Sequence, residues 1–457
     1  MAQSKTILQD TLRVLAEEKR YSTIKDIILF MNPADLAALF DTLDEKTLPV
    51  LFRLLPRDLA GEVFPETERD TQETLIRVFS DSELKQILEG LFTDDAADLV
   101  EEMPANVASR ILSQADNTLR SAINQILKYP EDSAGSVMTT EFVELKENMT
   151  VSQALDHIRN VGLDKETVYT CYVTRAGKLL ATVAAKDLLV EKDMNRKISE
   201  IMDENVISVV TTTDREEVAK LFQKYNLIAL PVVDAENRLA GIITFDDVMD
   251  VMEKEATEDI TIMSGQTPYE KSYSNSSPFE LYLHRIPWLL ILMVSATFTG
   301  LIITSFEQAL AAQVVLTAFI PMLMDTGGNS GSQSSVTVIR AISLGEIEFR
   351  DLPRVMGKEL LTAVFCGLSL GAVCFAKLML IDRLILGNLA VTIPVAMAVC
   401  LTIMITVLVA KTVGCTLPVF AWKLGFDPAV MASPFITTVV DALSLLIYFT
   451  IASLILF

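Results

Sequence analysis

Two carboxylates, Asp325 and Asp441, lie within segments that are otherwise apolar enough to cross a membrane. The first belongs to the glycine-rich run 321–333, which we interpret as a polar interruption of a hydrophobic helix. A charged side chain at the bilayer centre costs about 2.5–3.5 kcal/mol even on insertion scales, so it usually faces a cavity or a pathway. Small neighbouring residues also let helix backbones approach closely. The two acids therefore suggest a route for a cation.

The other polar groups of these segments indicate a hard cation. Asn329 and Gln333 accompany Asp325, and Thr437 precedes Asp441 by one helical turn. Mg²⁺ keeps several of its waters and needs only one or two carboxylates, with carbonyl and amide oxygens around it. One carboxylate per chain would suit Mg²⁺ if two chains met at a symmetry axis. A fully dehydrating site would need more acids than these segments contain.

The charge of the chain is distributed unevenly. The 457 residues carry a formal net charge of −22, and basic and acidic residues balance from position 271 onward. The whole imbalance therefore lies in residues 1–270. Such a field repels nucleic acid and concentrates cations, which excludes nucleic-acid binding and leaves a solubilising acidic surface or cation sensing.

Cysteine usage and the first residues define the compartment. Five cysteines without a CxxC pattern and only two histidines argue against a zinc or disulfide scaffold. Residues 1–5 lack an apolar core, so we expect no signal peptide and a cytosolic soluble part. We find no nucleophile–base pair and no phosphate loop, and we expect no enzymatic activity.

A tandem repeat occupies the middle of the chain. Residues 178–187 are echoed sixty positions later by residues 238–247, within alternating short strands and helices. The pattern resembles a pair of CBS domains. Gly241-x-x-Thr244-x-x-Asp247 is similar to the ribose-contacting motif of that family, which implies adenine-nucleotide binding, with ATP as a candidate cofactor, at Thr244 and Asp247. The first copy has Ala181 and Ala184 at the Gly and Thr positions, so a purely structural module is the alternative.

Acidic residues cluster on the helices on either side of this repeat. Apolar residues at helical spacing before the repeat predict stacked helical hairpins that form a short superhelix. After the repeat, a continuous helical pattern carries closely spaced acids, which weaken a helix unless something neutralises them. A divalent cation would do so, and a fully exposed helix is the plainer alternative.

Five apolar stretches follow, each long enough to cross the hydrocarbon core. They begin near Ile286, Ala311, Leu360, Val391 and Ala429. Basic residues crowd the loop after the second stretch, namely Arg340, Arg350, Arg354 and Lys358. The positive-inside rule then predicts a cytosolic N-terminus and an external Phe457. Lys411, in the fourth stretch, is expected to snorkel or to pair with an acid.

The combined pattern predicts a multidomain membrane protein. We expect an acidic, all-α superhelical N domain in residues 1–130 and tandem α/β CBS domains in residues 131–252. A connecting helix and linker would occupy residues 246–278. Residues 279–457 would form an α-helical transmembrane domain of five spans.

The membrane motifs and the domain order together resemble the MgtE family of magnesium channels. The matching motifs are Pro321-x-x-x-Asp325-x-Gly-Gly-Asn329-x-Gly331-x-Gln333, Leu344-Gly-Glu-Ile347, Asp427-Pro428 and Thr437-Thr438-x-x-Asp441. The resemblance implies a homodimer in the plasma (inner) membrane, with the pore between the two chains. It implies that Asp441 holds hydrated Mg²⁺ and that the Thr437 carbonyl contacts its waters. The second span would line the same path with Asp325, Gly328, Asn329 and Gln333.

The resemblance also implies regulation by the transported ion. In the family, cytosolic Mg²⁺ bridges the N domain, the CBS domains and the connecting helix, and closes the gate by neutralising their mutual repulsion. The matching acids of this chain are Asp94, Asp95, Asp98, Asp247, Asp250, Glu255, Glu258, Asp259 and Asp427.

Other functions compete with this interpretation. Within transport, the cargo could be Mn²⁺, Co²⁺ or Ca²⁺, while a CBS-bearing chloride channel would need more spans and basic ligands. A membrane-tethered nucleotide sensor without transport explains the CBS pair. It leaves Asp325 and Asp441 without a purpose.

Overall fold

The computed structural model describes residues 11, 12, 14, 15, 18–269, 273 and 276–456. The chain divides into two compact units, Met1–Met252 and Glu253–Phe457. The expectations for residues 1–5, for part of the linker at 270–275 and for Phe457 fall on positions outside the described residues.

Among the described residues from Tyr21 onward, the first unit begins with nine short α-helices, as expected for the N domain. Their apolar faces share one core, in which Leu36, Phe40 and Phe64 are fully buried. Because each helix is too short to be stable alone, this shared burial is what holds the array together. The helices are α1 (Tyr21–Ile28), α2 (Pro33–Phe40), α3 (Leu48–Phe52), α4 (Arg57–Val63), α5 (Arg69–Val78), α6 (Asp81–Leu88), α7 (Thr93–Glu102), α8 (Ala105–Gln114) and α9 (Asn117–Ile126).

Three helices of this array begin with a side-chain cap, and α7 is among the six that do not. Ser80 forms a capping box with Glu83 at the start of α6, and Asp116 accepts from the backbone N–H of Leu119 in α9. Phe92, at the N-cap position of α7, provides no side-chain hydrogen bond. The first turn of α7 therefore needs acceptors from elsewhere in the fold.

Two similar α/β modules follow, which confirms the tandem CBS prediction. Each has a three-stranded sheet, in which the first two strands are parallel and the last two antiparallel. A register shift interrupts the antiparallel pair in both copies, at Val173/Thr174 and at Val232/Val233. The elements are β1 (Glu144–Lys146), α10 (Val151–Val161), β2 (Thr170–Arg175), β3 (Lys178–Ala184), α11 (Ala185–Val190), β4 (Val209–Val210), α12 (Arg215–Tyr225), β5 (Ala229–Val233) and β6 (Leu239–Thr244).

A continuous 19-residue helix, α13 (Phe245–Met263), begins directly after β6. Gly241 in β6 permits the closest approach in this region, since a Cβ atom there would lie 2.5 Å from the Thr139 carbonyl oxygen. The Thr139 and Ile242 backbones exchange two hydrogen bonds of 2.8 and 2.9 Å. This bridge fixes β6, and with it the start of α13, against the entry to the first module.

The second unit consists of long apolar helices. Among the described residues, four helices have the length and composition to cross a membrane: Pro278–Ser305, Phe349–Ile385, Ile393–Lys423 and Pro428–Leu456. We label the helical elements α14 (Pro278–Ser305), α15 (Glu307–Ala312), α16 (Ile320–Ser343), α17 (Leu352–Ala376), α18 (Ile393–Lys423) and α19 (Ser433–Leu456). A π-helical segment, Lys377–Ile385, extends α17. The fifth span stays a prediction, because the polar side chains of α16 make it less apolar than the other four.

The structure corrects two expectations for the second stretch. The long helix begins at Ile320, preceded by a 3₁₀ segment, rather than near Ala311. The run 321–333 does not interrupt it: α16 is continuous, because Pro321 sits in the first turn, where no N–H is needed. Its glycines are contact points. A Cβ atom on Gly414 of α18 would lie 2.3 Å from the carbonyl oxygen of Gly331, so these backbones touch.

Candidate cation sites

One face of α16 carries a polar stripe. Pro321, Asp325, Asn329 and Gln333 recur every fourth residue and are exposed, while the glycines and serines between them are buried against neighbouring helices. The Asn329 side-chain amide donates to Asp325 Oδ1 at 2.9 Å. A helix with this composition presents an oxygen-rich surface from end to end, and the residues are those expected to line a path.

The acid of α19 lies beside this stripe. A Cβ atom at Gly328 would be 3.0 Å from Thr437 Cγ2 and 3.6 Å from Asp441 Oδ1. Asp325 is the charged group whose field acts on Asp441, which is half-buried. The Thr437 hydroxyl donates to the Pro434 carbonyl at 2.9 Å, so it is already engaged. The tertiary structure thus brings the two membrane acids together on adjacent helices.

A buried ion pair fixes the back of α16. Lys411 of α18 is 5% exposed, and its Nζ lies 3.6 Å from Glu359 Oε2 of α17 and 3.1 Å from Ser334 Oγ of α16. The Ser334 hydroxyl donates to the same carboxylate oxygen at 2.6 Å. Lys411 therefore pairs with an acid, and one network links three helices on the side opposite the polar stripe.

A second group of acids lies in the first unit, where α7 meets the start of α13. Asp94 is 8% exposed, and its Oδ1 is buried without a hydrogen-bond partner among the described residues. The Thr244 hydroxyl and backbone N–H donate to Asp247 Oδ2 at 2.5 and 3.2 Å. We call Asp94, Asp95, Glu166 and Asp247 the acid cluster.

The electrostatics of the acid cluster are those of like charges removed from water. Burial is the main cause that raises the pKa of Asp95 to about 7, and the charge of Asp247 adds to it. Burial, and then Asp247, raise the pKa of Glu166 to about 8. The pKa of Asp94 is raised well above its ordinary value for the same two reasons. Burial also raises the pKa of Asp247, against the lowering effect of its hydrogen bonds from Thr244.

These features fit a divalent cation. Carboxylates supply the main charges acting on each member of the acid cluster, and Asp94 Oδ1 points into the packed region without a donor. In the described part of the chain, no three His, Cys, Asp or Glu side chains converge on one metal position. An ion that keeps part of its water shell, as Mg²⁺ does, bridges carboxylates through those waters even when the carboxylates do not converge on one metal position.

The structure groups only part of the predicted regulatory set. Asp98 acts electrostatically on Asp95, and Asp250 acts on Asp247. Four predicted acids belong to the second compact unit instead: Glu255, Glu258, Asp259 and Asp427. There, the Ser343 hydroxyl approaches Asp259 Oδ2 at 3.5 Å, and Asp427 accepts from the Ala429 N–H at 2.7 Å as a cap.

Sequence reasoning missed three members of this region. Glu166 lies in a loop of the first module, and Glu66 and Asp246 contribute to the field at Asp95. No spacing in the sequence connects Glu166 with Asp95, because only the fold brings that loop to α7. Asp246 directly precedes Asp247 in the chain, and this adjacency was the single feature of the sequence that could have placed Asp246 near the acid cluster.

The predicted nucleotide residues lie at the edge of the acid cluster. Thr244 is 5% exposed; its N–H donates to Asp247, and its hydroxyl lies 2.5 Å from an oxygen of Asp246 and 2.5 Å from an oxygen of Asp247. In this conformation Asp247 faces other carboxylates, so its electrostatic environment favours a cation over an anionic phosphate.

Comparison with known proteins assigns each part of the chain. The family model for the MgtE intracellular N domain matches residues 31–132, CBS-domain models match 134–192 and 198–254, and the MgtE divalent cation transporter model matches 320–451. The magnesium transporter MgtE of Thermus thermophilus is 35% identical over 98% of both chains. The Bacillus subtilis protein of the same name is 31% identical over 99% of both chains.

Solved structures cover the first unit. A crystal structure of the cytosolic domain of the Mg²⁺ channel MgtE in complex with ATP is 35% identical, has a TM-score of 0.51, and covers 53% of this chain and 99% of its own. The soluble part of a magnesium transporter is 28% identical with a TM-score of 0.51, covering 55% of this chain and 99% of its own.

The raised pKa values predict how docking of the N domain on the CBS pair depends on pH without divalent cations. Each acid binds its proton more tightly when docked, so docking should be strongest near pH 4 and weaken as pH rises to about 8. Saturating Mg²⁺ should reverse the trend, because protons then compete with the ion. Hydrogen exchange of α7 in the full-length protein, followed over this pH range with chelator and then with Mg²⁺, measures both pH dependences. Equal protection throughout this range would contradict the assignment.

The Lys411 network predicts a specific pattern of stability. Lys411→Met leaves Glu359 buried without its counter-charge, which should lower the free energy of unfolding by about 3–5 kcal/mol. The double variant Lys411→Met with Glu359→Gln should recover most of the loss. The melting temperature of the purified protein in detergent is the measurement. A double variant as unstable as the single one would show that the charge pair is not responsible.

Proposed function

Since the chain belongs to the MgtE family of magnesium transporters, we propose that it carries Mg²⁺ across the plasma membrane into the cytosol and that cytosolic Mg²⁺ closes the pathway. The observation that carries the transport proposal is the placement of Asp325 and Asp441 on adjacent helices of an otherwise apolar unit. Their cost in a membrane is offset only if a cation and its waters occupy the space that they face.

Asp441 is the proposed ligand of the passing ion. It holds the waters of hydrated Mg²⁺ through its carboxylate, and the carbonyl oxygen of Thr437 accepts from the same waters. Asp325 orients the Asn329 amide through their 2.9 Å hydrogen bond, so that Asn329 and Gln333 present oxygens along the path. Gly328 keeps α16 close enough to α19 for both helices to contribute.

The exposed polar stripe supports a homodimer. A membrane-embedded helix cannot leave Asp325, Asn329 and Gln333 against lipid, because polar groups there lack partners. Within the part of a single chain that the structure describes, that face is exposed. A second copy related by a two-fold axis would enclose the stripe and supply a second Asp441, which matches the small number of carboxylates per chain.

The same reasoning makes α16 the fifth span. Its 24 residues rise about 36 Å, enough to cross a hydrocarbon core, and it packs between α18 and α19. Its polar composition is what a pore-lining helix requires. Five spans place the N-terminal unit in the cytosol and the end of α19 outside.

Closure depends on the acid cluster. When Mg²⁺ is scarce, repulsion among Asp94, Asp95, Glu166 and Asp247 opposes docking of the N domain on the CBS pair. Bound Mg²⁺ reverses that balance, since it binds the docked state better than the undocked one. The other predicted acids, Asp98, Asp250, Glu255, Glu258, Asp259 and Asp427, contribute further charge, and the connecting helix α13 transmits the state of the first unit.

ATP is the proposed second regulator. The ATP complex of a 35% identical cytosolic domain supports nucleotide binding by the CBS pair of this chain. Thr244 and Asp247 keep their proposed roles as ribose contacts. Because Asp247 also belongs to the acid cluster, nucleotide and Mg²⁺ would be linked through one side chain.

Competing functions differ in one measurable quantity. A transporter for Mn²⁺, Co²⁺ or Ca²⁺ would carry those ions in preference to Mg²⁺ into vesicles. A nucleotide sensor without transport would carry no ion into the vesicles. The enzymatic alternative has no support from a nucleophile–base pair or a phosphate loop in the sequence.

Replacement of the proposed ligand tests transport. Asp441→Asn keeps the size of the side chain and removes its charge, so Mg²⁺ uptake into proteoliposomes should fall at least tenfold, a loss of about 1.4 kcal/mol or more of binding. Glu307→Gln, an equal change at an exposed acid of the same unit, should leave uptake unchanged. Normal uptake by Asp441→Asn would remove its proposed role.

Removal of cluster acids tests closure. The double variant Asp94→Ala with Asp247→Ala removes both the ligands for the bridging ion and part of the repulsion that the ion relieves, so uptake should lose its dependence on internal Mg²⁺ concentration. Asp26→Ala with Asp58→Ala changes the charge equally on exposed positions of the N domain and should close normally. Inhibition at the unmodified concentration in the cluster variant would contradict the gating proposal.

A further inference from the structure

The carboxylate of Glu141 lies at the uncapped start of α7. Glu141 is in the segment that enters the first CBS module, and Thr93 is the first residue of α7. The Thr93 hydroxyl donates to Glu141 Oε1 at 2.6 Å, and the Thr93 N–H approaches Oε2 at 3.4 Å. Glu141 therefore supplies, from another domain, the cap that Phe92 does not provide.

Further donors hold the same carboxylate in place. The Thr139 hydroxyl donates to Oε2 at 2.7 Å, and the Thr140 N–H donates to it at 3.1 Å. Thr93 is 1% exposed and Thr139 is fully buried, so water does not replace these bonds. A negative charge at a helix N-terminus is also favoured by the helix dipole. Glu141 is thus a half-buried, well-satisfied carboxylate that needs no metal.

The Glu141 segment contacts α7, the loop of Glu166, and the strand that leads to Asp247. Its side chain holds α7, where Asp94 and Asp95 follow Thr93. Its backbone carbonyl accepts from the Glu166 N–H at 2.9 Å. Two residues earlier, Thr139 bridges to Ile242 of β6, the strand that leads to Asp247.

We propose that Glu141 is a positioning residue that latches the N domain to the CBS pair and sets the Mg²⁺ concentration at which the acid cluster closes. We call its hydrogen bonds to Thr93 the Glu141 latch. The proposal rests on the gating function proposed above and adds a metal-independent component to it. Carboxylate repulsion drives the domains apart, and the Glu141 latch opposes it without an ion, so a moderate Mg²⁺ concentration suffices for docking.

Hydrogen exchange of the first turn of α7 in the full-length protein tests the latch. Glu141→Gln keeps the shape and removes the charge, and Thr93→Val removes the hydroxyl donor. Each should speed exchange in that turn about tenfold without Mg²⁺ and raise the Mg²⁺ concentration needed for protection. The double variant should be no worse than either single one, because both break the same contact.

Two controls separate the latch from general damage. Thr93→Ser keeps the hydroxyl and should behave as the unmodified protein. Glu147→Gln removes a half-exposed acid of the same module, paired with Arg175, and should leave α7 unaffected. Unmodified exchange in both Glu141→Gln and Thr93→Val, or fully additive effects in the double variant, would overturn the proposal.

Flux measurements on the same preparations distinguish a failure of the Glu141 latch from a failure of the proposed function. If the unmodified protein carries no Mg²⁺ while the variants loosen α7, the proposed function fails and the latch stands as a docking contact. If the unmodified protein is closed by Mg²⁺ and Glu141→Gln closes at the same concentration, the latch is wrong and the proposed function stands.

Discussion

The free-energy cost of removing a carboxylate from water is the constraint on which both compact units depend. In the first unit, burial and mutual repulsion raise the pKa values of Asp94, Asp95 and Glu166 together. A protein that places acids in this way stores repulsion that a cation or protons can relieve. The docked arrangement is therefore conditional on neutralisation of these acids, and the proposed sensing function uses that property.

The fold offsets this cost differently at neighbouring positions. Glu141 receives hydroxyl and amide donors and the N-terminus of α7, so it is satisfied without an ion. Asp94, one residue beyond the same helix start, has an oxygen for which the described residues offer no donor. The two carboxylates lie in one region, yet one stabilises the docked state permanently and the other does so only when neutralised.

The same constraint organises the membrane unit. Glu359 is buried beside Lys411 and Ser334, so its charge is compensated within the chain. Asp325 and Asp441 have no such basic partner shown in the structure and lie toward the exposed stripe of α16. Small residues make this arrangement possible, because the contact of Gly331 with Gly414 lets α16 sit deep among its neighbours. Charges on the packed side of α16 are paired within the chain, and those on its exposed side are available to an ion.

Composition and spacing were enough to indicate the acidic first part, the tandem repeat and the membrane acids, and the resemblance of short motifs to a known family indicated the family, since each is a local property of the chain. The apolar stretches were also visible, but the continuity of α16 was not. A run of glycine and polar residues is typical of a broken helix in isolation, whereas in the fold Pro321 occupies the first turn of α16 and the glycines pack against α18 and α19. For the same reason, the sequence predicted that Lys411 could pair with an acid but did not identify that acid as Glu359.

Long-range contacts were decided by the tertiary structure. Glu166 and Glu141 have no motif, and they matter because a loop and an entry segment are brought to α7 across distances in sequence that no periodicity records. The grouping of Asp94 and Asp95 with Asp247 was expected from family resemblance, whereas its burial and its orphaned oxygen are products of the fold. Sequence specifies which groups carry charge; the cost of that charge depends on what surrounds it, and the surroundings exist only once the chain has folded.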